Sequence, residues 1–383
     1  MQHQLVCDWR PAARRGQTVV RALLTVHGDQ VSATTVPNLN LALVLDRSGS
    51  MAGRKLAAAK HAATQLVQRL APEHHASIVV FDDRVDTLVD GAAGDSGTLS
   101  AAIAGIGAGG TTNLSGGWLQ GRTLAARSRD GDRSVNRIIL MTDGQANEGI
   151  TDRDQLTAMC RAAAAEGIST STVGFGIDYD EDLLKAMADA GQGNTWYIER
   201  VDQAASVFLE EIEGLLSLSA QNLTVTLTGS AAVRDVVVWG EWPTVAHTND
   251  LTISLGDLYA REPRRLLVEF VVSDRMAKKM GGAVGEVRLE ADVLTADGGV
   301  HHVIVTFPIA ANLEEAQRVE PTIETQVLLA QAAKARKEAA EHQERGEIRE
   351  AANVLREAAR AMQRSPQGEA SEVVRELRDM HAL

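Results

Sequence analysis

Between Leu39 and Leu216, short apolar runs alternate with amphipathic stretches, and no other feature limits the folds open to this 383-residue chain as strongly. The runs LALVL at 41–45 and IILM at 138–141 lack the alternation of a strand with one wet face. Near-continuous apolar strands are buried on both sides, as happens when helices cover both faces of a parallel sheet. Strands are expected at 39–46, 77–82, 137–142, 168–176 and 195–199. Helices are expected between them at 54–70, 113–128, 153–166, 181–190 and 203–216. Residues 85–89 add a short antiparallel partner beside the strand ending at Phe81. The expected class is α/β with a doubly wound sheet.

Outside this block the period changes. Val20, Ala22, Leu24 and Val26 occupy alternate positions of one strand, preceded by a shorter strand at 3–10, and Pro37 marks a boundary. Beyond residue 216, alternate apolar positions recur at Leu223–Leu227, Leu266–Val272, Val287–Val293 and Val303–Phe307. Such strands, separated by Gly, Asp and Asn turns, build an antiparallel β-sandwich. The two strands before Pro37 have no other sheet to join. The α/β segment is therefore expected to be inserted into a sandwich made from both flanks, since domain termini commonly lie close together. From Glu314 the composition turns to Ala, Glu, Arg and Lys with helical spacing, giving helices at 322–345 and 347–364 joined at Gly346 and a third after Pro366. The interval Gly346, Ala351, Leu355, Ala358 resembles one tetratricopeptide unit. A single unit cannot stack into a solenoid, so a C-terminal helical hairpin or small bundle is expected. The expected divisions are 1–36, 37–216, 217–312 and 313–383.

Composition removes several function classes. A formal net charge of −13 disfavours general nucleic-acid binding, which needs a basic face for the phosphates. No segment has the run of about 18–20 apolar residues that a membrane helix requires. Cys7 and Cys160 are far apart and form no metal-type pair, and the first thirty residues carry no signal-like apolar run, which together read as cytoplasmic.

The strand at 39–46 ends in Asp46-Arg47-Ser48-Gly49-Ser50, and the helix at 54–70 follows at once. A loop leaving a strand can curl so that residues i, i+2 and i+4 converge, here a carboxylate and two hydroxyls. These are hard oxygen donors of the kind Mg²⁺ takes, at the strand end where open α/β sheets place their ligand sites. Two further segments supply similar groups: GGTTN at 109–113, before a helix, and MTDG at 141–144, after a buried strand.

Together DRSGS, GGTTN and MTDG resemble the von Willebrand factor type A domain and its metal-ion-dependent adhesion site, across roughly residues 38–215. The family pattern is Asp-x-Ser-x-Ser, a distant Thr and a distant Asp on strand-end loops of a Rossmann-like sheet. The resemblance implies Asp46, Ser48, Ser50, Thr112 and Asp143 as metal ligands, with Mg²⁺ as the cation and Mn²⁺ or Ca²⁺ as substitutes. Thr112 is preferred to Thr111 because TNLSGGW fits the family's threonine and the glycine five residues later. Family members use the open side of the ion to capture a Glu or Asp of another protein. The function this implies is a metal-dependent protein-interaction module, not an enzyme. Two alternatives are a regulatory or assembly subunit of a larger complex, for example with an ATPase, and a metal-dependent hydrolase.

Blander readings compete at individual residues. Asp46 as a mere turn former explains one loop, not three at one sheet edge. Gly105-x-Gly107-x-x-Gly110 matches a dinucleotide fingerprint formally but follows the helix-like stretch 98–104, not a strand. Ser48 stands where a haloacid-dehalogenase-type phosphatase needs its second aspartate. Asp82 and Asp83 either support the ligands from behind or form a solvated turn, the turn being preferred; Asn147 and Glu148 read as rim or ordinary loop residues, and Trp118 as a packing residue. Arg275, Lys278 and Lys279 read as a solvated hairpin loop of the sandwich.

Overall fold

The computed structural model describes residues 1–29, 38–92, 95–127, 134–143, 146–176, 179–198, 214, 217–248, 250–260, 263–295, 299–312, 315 and 317–382. The boundary at Pro37 and, apart from Gly214, the helix expected at 203–216 lie outside these. The chain opens with two antiparallel strands, β1 (Gln2–Pro11) and β2 (Gln17–His27). It then enters a six-stranded sheet built from β3 (Asn38–Asp46), β4 (His75–Phe81), β5 (Val85–Ala92), β6 (Ser134–Thr142), β7 (Ile168–Phe175) and β8 (Gln192–Ile198). The spatial order is β5-β4-β3-β6-β7-β8, and every pairing is parallel except β4 with β5.

Side-chain alternation explains the apolar runs. Leu39, Leu41, Leu43 and Leu45 pack toward α1 (Arg54–Val67) and α2 (Ser96–Ala104). Ala42 and Val44 face the opposite layer, α3 (Leu114–Arg127), α4 (Arg153–Ala165) and α5 (Glu181–Ala190). Aspartates start three of these helices by accepting a backbone N–H: Asp95 from Thr98, Asp152 from Gln155 and Asp180 from Leu183. Helix α3 lies unusually close to the sheet. A Cβ on Gly117 would stand 2.4 Å from the Phe81 ring, and one on Gly121 2.5 Å from a Val44 methyl, so SGGWLQG needs its glycines for contact. Trp118 fills the space beside them, and its indole N–H donates to Thr170 Oγ1 at 3.1 Å.

After the sheet come β9 (Leu218–Gly229), β10 (Val233–Val238), β11 (Thr244–Ala246), β12 (Asp250–Tyr259), β13 (Arg264–Ser273), β14 (Ala283–Leu294) and β15 (Val300–Ala310). Two antiparallel sheets result, β1-β2-β13-β10 and β11-β12-β9-β14-β15. Their facing residues, among them Val20, Leu24, Phe270, Val225 and Leu289, share one core. Arg275, Lys278 and Lys279 do not sit in a hairpin loop: residues Asp274–Lys279 form a short helix, α6, between β13 and β14. Its sequence has few turn formers, and its own Ala277 is buried.

Helices α7 (Pro321–Glu344), α8 (Ile348–Arg364) and α9 (Ser371–Ala382) bundle around Ala332, Leu355, Met362 and Val373. The start of α7 rests on the first sheet through Ile323 and Val327 against Leu23 and Leu267. Buried Arg21 donates to Asp8 Oδ1 at 2.7 Å and also pairs with Glu324 of α7. A second buried ion pair, Arg137 of β6 with Asp257 of β12, joins the six-stranded sheet to the five-stranded one. Beside it the Asn194 side-chain amide donates to the Tyr259 hydroxyl at 2.9 Å. No described helix is long and apolar enough to cross a membrane.

Candidate metal centre

At the carboxyl edge of the sheet, Asp46 ends β3 and stands beside the end of β6, because Leu45 pairs with Met141 in parallel register. Asp46 is fully buried. Its Oδ1 accepts the Ser48 N–H at 2.7 Å, and its Oδ2 accepts the Thr142 hydroxyl at 2.6 Å. The first bond curls the loop, and a single helical turn over Gly49–Met51 brings the Ser48 and Ser50 hydroxyl oxygens to 3.1 Å from each other. Ser48 is buried and Ser50 exposed, so this pair opens toward solvent.

Two backbone bonds fasten the glycine-rich loop to this turn: Gly49 N–H to Gly110 O at 2.9 Å and Gly109 N–H to Arg47 O at 2.6 Å. A side chain at Gly109 would collide with the Asp82 carboxylate, its Cβ only 1.9 Å from Oδ2. Thr112 is thereby held buried next to the serine turn, with its carbonyl accepting the N–H groups of Asn147 and Glu148 at 3.0 and 3.1 Å. Glu148 also accepts the Thr111 hydroxyl at 2.6 Å, so these two residues brace the threonine loop. Asp143 follows β6 and is buried, and its carbonyl accepts the Asp180 N–H at 3.3 Å. Lys55 Nζ donates to Asp143 Oδ2 at 2.9 Å, while Asp143 Oδ1 is buried with no hydrogen-bond partner among the described residues. Gly144 lies outside the described residues.

The electrostatics are those of a site short of positive charge. Burial pushes the Asp46 carboxyl above its ordinary range, and the Asp143 charge pushes the same way. The hydrogen bonds from Thr142 and Ser48 work against that rise without cancelling it. Asp82 shows the opposite balance: burial raises it, but hydrogen bonds from Arg84, Arg47 and Gly110 and the Arg47 charge hold it below the usual range.

Asp82 corrects the sequence reading, because it is buried and not a solvated turn residue. It accepts from Arg47 Nε at 3.0 Å and from Arg84 N–H at 2.9 Å, tying the serine turn to the β4–β5 connection. Asp83 is exposed, as expected. Lys55 and Thr142 escaped notice in the sequence, since each sits in a run that reads as ordinary helix surface or strand end.

Two carboxylates and three hydroxyls thus lie on three loops, two leaving β3 and β6 and one joining α2 to α3. No cluster of three or more His, Cys, Asp and Glu able to hold a metal occurs among the described residues, so any cation here depends on the hydroxyls. The fold and this placement define the class: an α/β domain with a polar loop cluster at the carboxyl edge of a doubly wound sheet. Residues 40–212 match the family model of the von Willebrand factor type A domain, and this part of the chain is a domain of that family. An uncharacterised protein of Synechocystis is 28% identical over 299 residues, covering 76% of this chain and 69% of the relative. Human inter-alpha-trypsin inhibitor heavy chain H1 is 27% identical over 49% of this chain, which spans only 21% of that protein. The solved structure of a von Willebrand factor type A protein from Catenulispora acidiphila aligns with 98% of this chain and 89% of its own, with a TM-score of 0.63 and 20% identity. That likeness extends the shared fold across nearly the whole chain.

Proposed function

We propose that Asp46, Ser48, Ser50, Thr112 and Asp143 hold a divalent cation, Mg²⁺ in the cell, and that the ion captures an Asp or Glu carboxylate of a partner protein. The observation that carries this reading is Asp143 Oδ1, a carboxylate oxygen buried without a hydrogen-bond partner among the described residues, beside a second buried carboxylate. Leaving such an atom unmatched is costly, and buried polar atoms without partners call for an unseen ligand or a functional role. A cation satisfies it. The donor set also suits Mg²⁺, which takes hard oxygens and usually keeps water in part of its shell. Neutral hydroxyls supply dipoles without charge, so the ion stays electrophilic toward an incoming carboxylate. When bound, the ion would supply that attraction, while the protein orients the donors and keeps Asp46, Ser48, Thr112 and Asp143 buried.

The chain brings no acid to position 48 that could protonate a leaving group, and we assign the centre to binding and not to catalysis. We read the α/β domain as an insertion whose sandwich and helical bundle serve as its mount. Titration calorimetry with Mn²⁺ tests the centre. The parent protein should bind one equivalent, and Asp46→Ala should lose at least about a hundredfold in affinity, or about 2.7 kcal/mol. Equal affinity in the two proteins would end this assignment.

A further inference from the structure

Lys55 is the second residue of α1 and its ammonium reaches a single acceptor at the centre, Asp143 Oδ2 at 2.9 Å. Another lysine of the same helix behaves differently: Lys60 donates to the carbonyls of Ala104 and Ile106, fastening one loop to the helix. The path of the Lys55 stem is built into the fold. It crosses the chain at Gly176, just beyond β7, where φ is +83° and a Cβ would stand 2.5 Å from Lys55 Cε. Lys55 uses Oδ2 and leaves Oδ1 without a hydrogen bond among the described residues, so that oxygen would be available to a cation.

We propose that Lys55 sets the charge of the centre, making it a weaker holder of the cation and a stronger trap for carboxylate. This rests on the reading of the centre as a cation site. Asp46 and Asp143 alone would neutralise a divalent ion completely. With Lys55 paired to Asp143, the protein side carries one negative charge in place of two. A divalent ion then leaves one positive charge to be matched, and a partner's carboxylate matches it. The arrangement trades retention of the ion for attraction of the ligand.

The test uses the full chain with Mn²⁺ as the probe, and Lys55→Met keeps the stem over Gly176 while removing the charge. Lys55→Met should bind Mn²⁺ about tenfold tighter and Lys55→Arg within about twofold of the parent, as expected for one charge near a partly exposed ion. Acetate, followed by water-proton relaxivity of the bound Mn²⁺, should need a correspondingly higher concentration to displace water in Lys55→Met. Should Lys55→Met fail to fold, Lys55→Gln carries the same comparison. Unchanged or weaker Mn²⁺ binding by a folded, charge-free variant overturns the role of Lys55. Asp46→Ala run in parallel separates the two failures: if it binds Mn²⁺ like the parent, the centre itself is misassigned. If it loses the ion while the Lys55 variants show no gain, only the Lys55 inference falls.

Discussion

The two ends of β6 bury charge in opposite ways. In its first half, Arg137 meets Asp257 of β12, cation against anion, at the joint between the two sheets. At its far end, two buried carboxylates, Asp46 and Asp143, stand near one ammonium, that of Lys55, which pairs with Asp143. Both clusters are buried, and both are held by neighbouring strands. The difference is the charge left over. A matched buried pair contributes shape and fixes a joint, whereas an unmatched one is a standing cost that needs a ligand to offset it. Burial alone therefore does not separate structural from functional polar groups; the charge balance does.

The largest expected effect is at the matched end. Arg137→Met takes a cation away from the buried Asp257 carboxylate in the joint and should lower stability by about 3–5 kcal/mol, read from urea midpoints. Adding Asp257→Leu should restore part of it, because the second change removes the charge that had lost this cation. A loss below about 1 kcal/mol in the single variant would place this pair with ordinary surface bridges and dissolve the contrast.

At the unmatched end the sign reverses. The folded state raises the Asp46 carboxyl, so its ionisation works against folding. The associated stability is complete below the ordinary carboxylate range and is lost as pH rises through the folded value. Asp46→Asn should therefore stabilise the protein in EDTA at pH 7 by about 1 kcal/mol, at the expense of cation binding. The gain should fade as pH falls toward about 4, where the unfolded carboxyl also takes up its proton. Destabilisation at pH 7 would mean that the Thr142 and Ser48 hydrogen bonds outweigh the charge.

The smallest effect belongs to the brace between the loops. Asp82→Asn keeps an acceptor for Arg84 but weakens the charged contact with Arg47, and should reduce Mn²⁺ affinity about fivefold, near 1 kcal/mol. Calorimetry would show no change if the backbone bonds from Gly49 and Gly109 hold the loops unaided.

What was legible in the sequence follows from range. The switch from continuous to alternating apolar patterns is local, so β3, β4, β6 and β7 and, outside that sheet, β1, β2, β9, β13, β14 and β15 could be placed from it, while β10, β11 and β12 were missed. Asp46, Ser48 and Ser50 were visible because their spacing is a local geometric device. Arg137 was not, since it reads as the polar flank of an apolar strand, and its partner Asp257 lies 120 positions away on another sheet. Lys55 resembles any helix-surface lysine until α1 and β7 are docked. Asp82 looked like a turn residue because nothing in FDDRV shows that Arg47 and the glycine-rich loop will close over it. α6 was hidden for a related reason: six residues are too few to carry a helical period.

Crystals grown or soaked with Mn²⁺ and measured for anomalous scattering test the central claim most directly. A single strong peak should stand among Ser48, Ser50 and Thr112, on the side of Asp143 Oδ1, with Lys55 still on Oδ2. No peak there at a concentration that saturates the protein in solution, or a peak elsewhere on the chain, would contradict it.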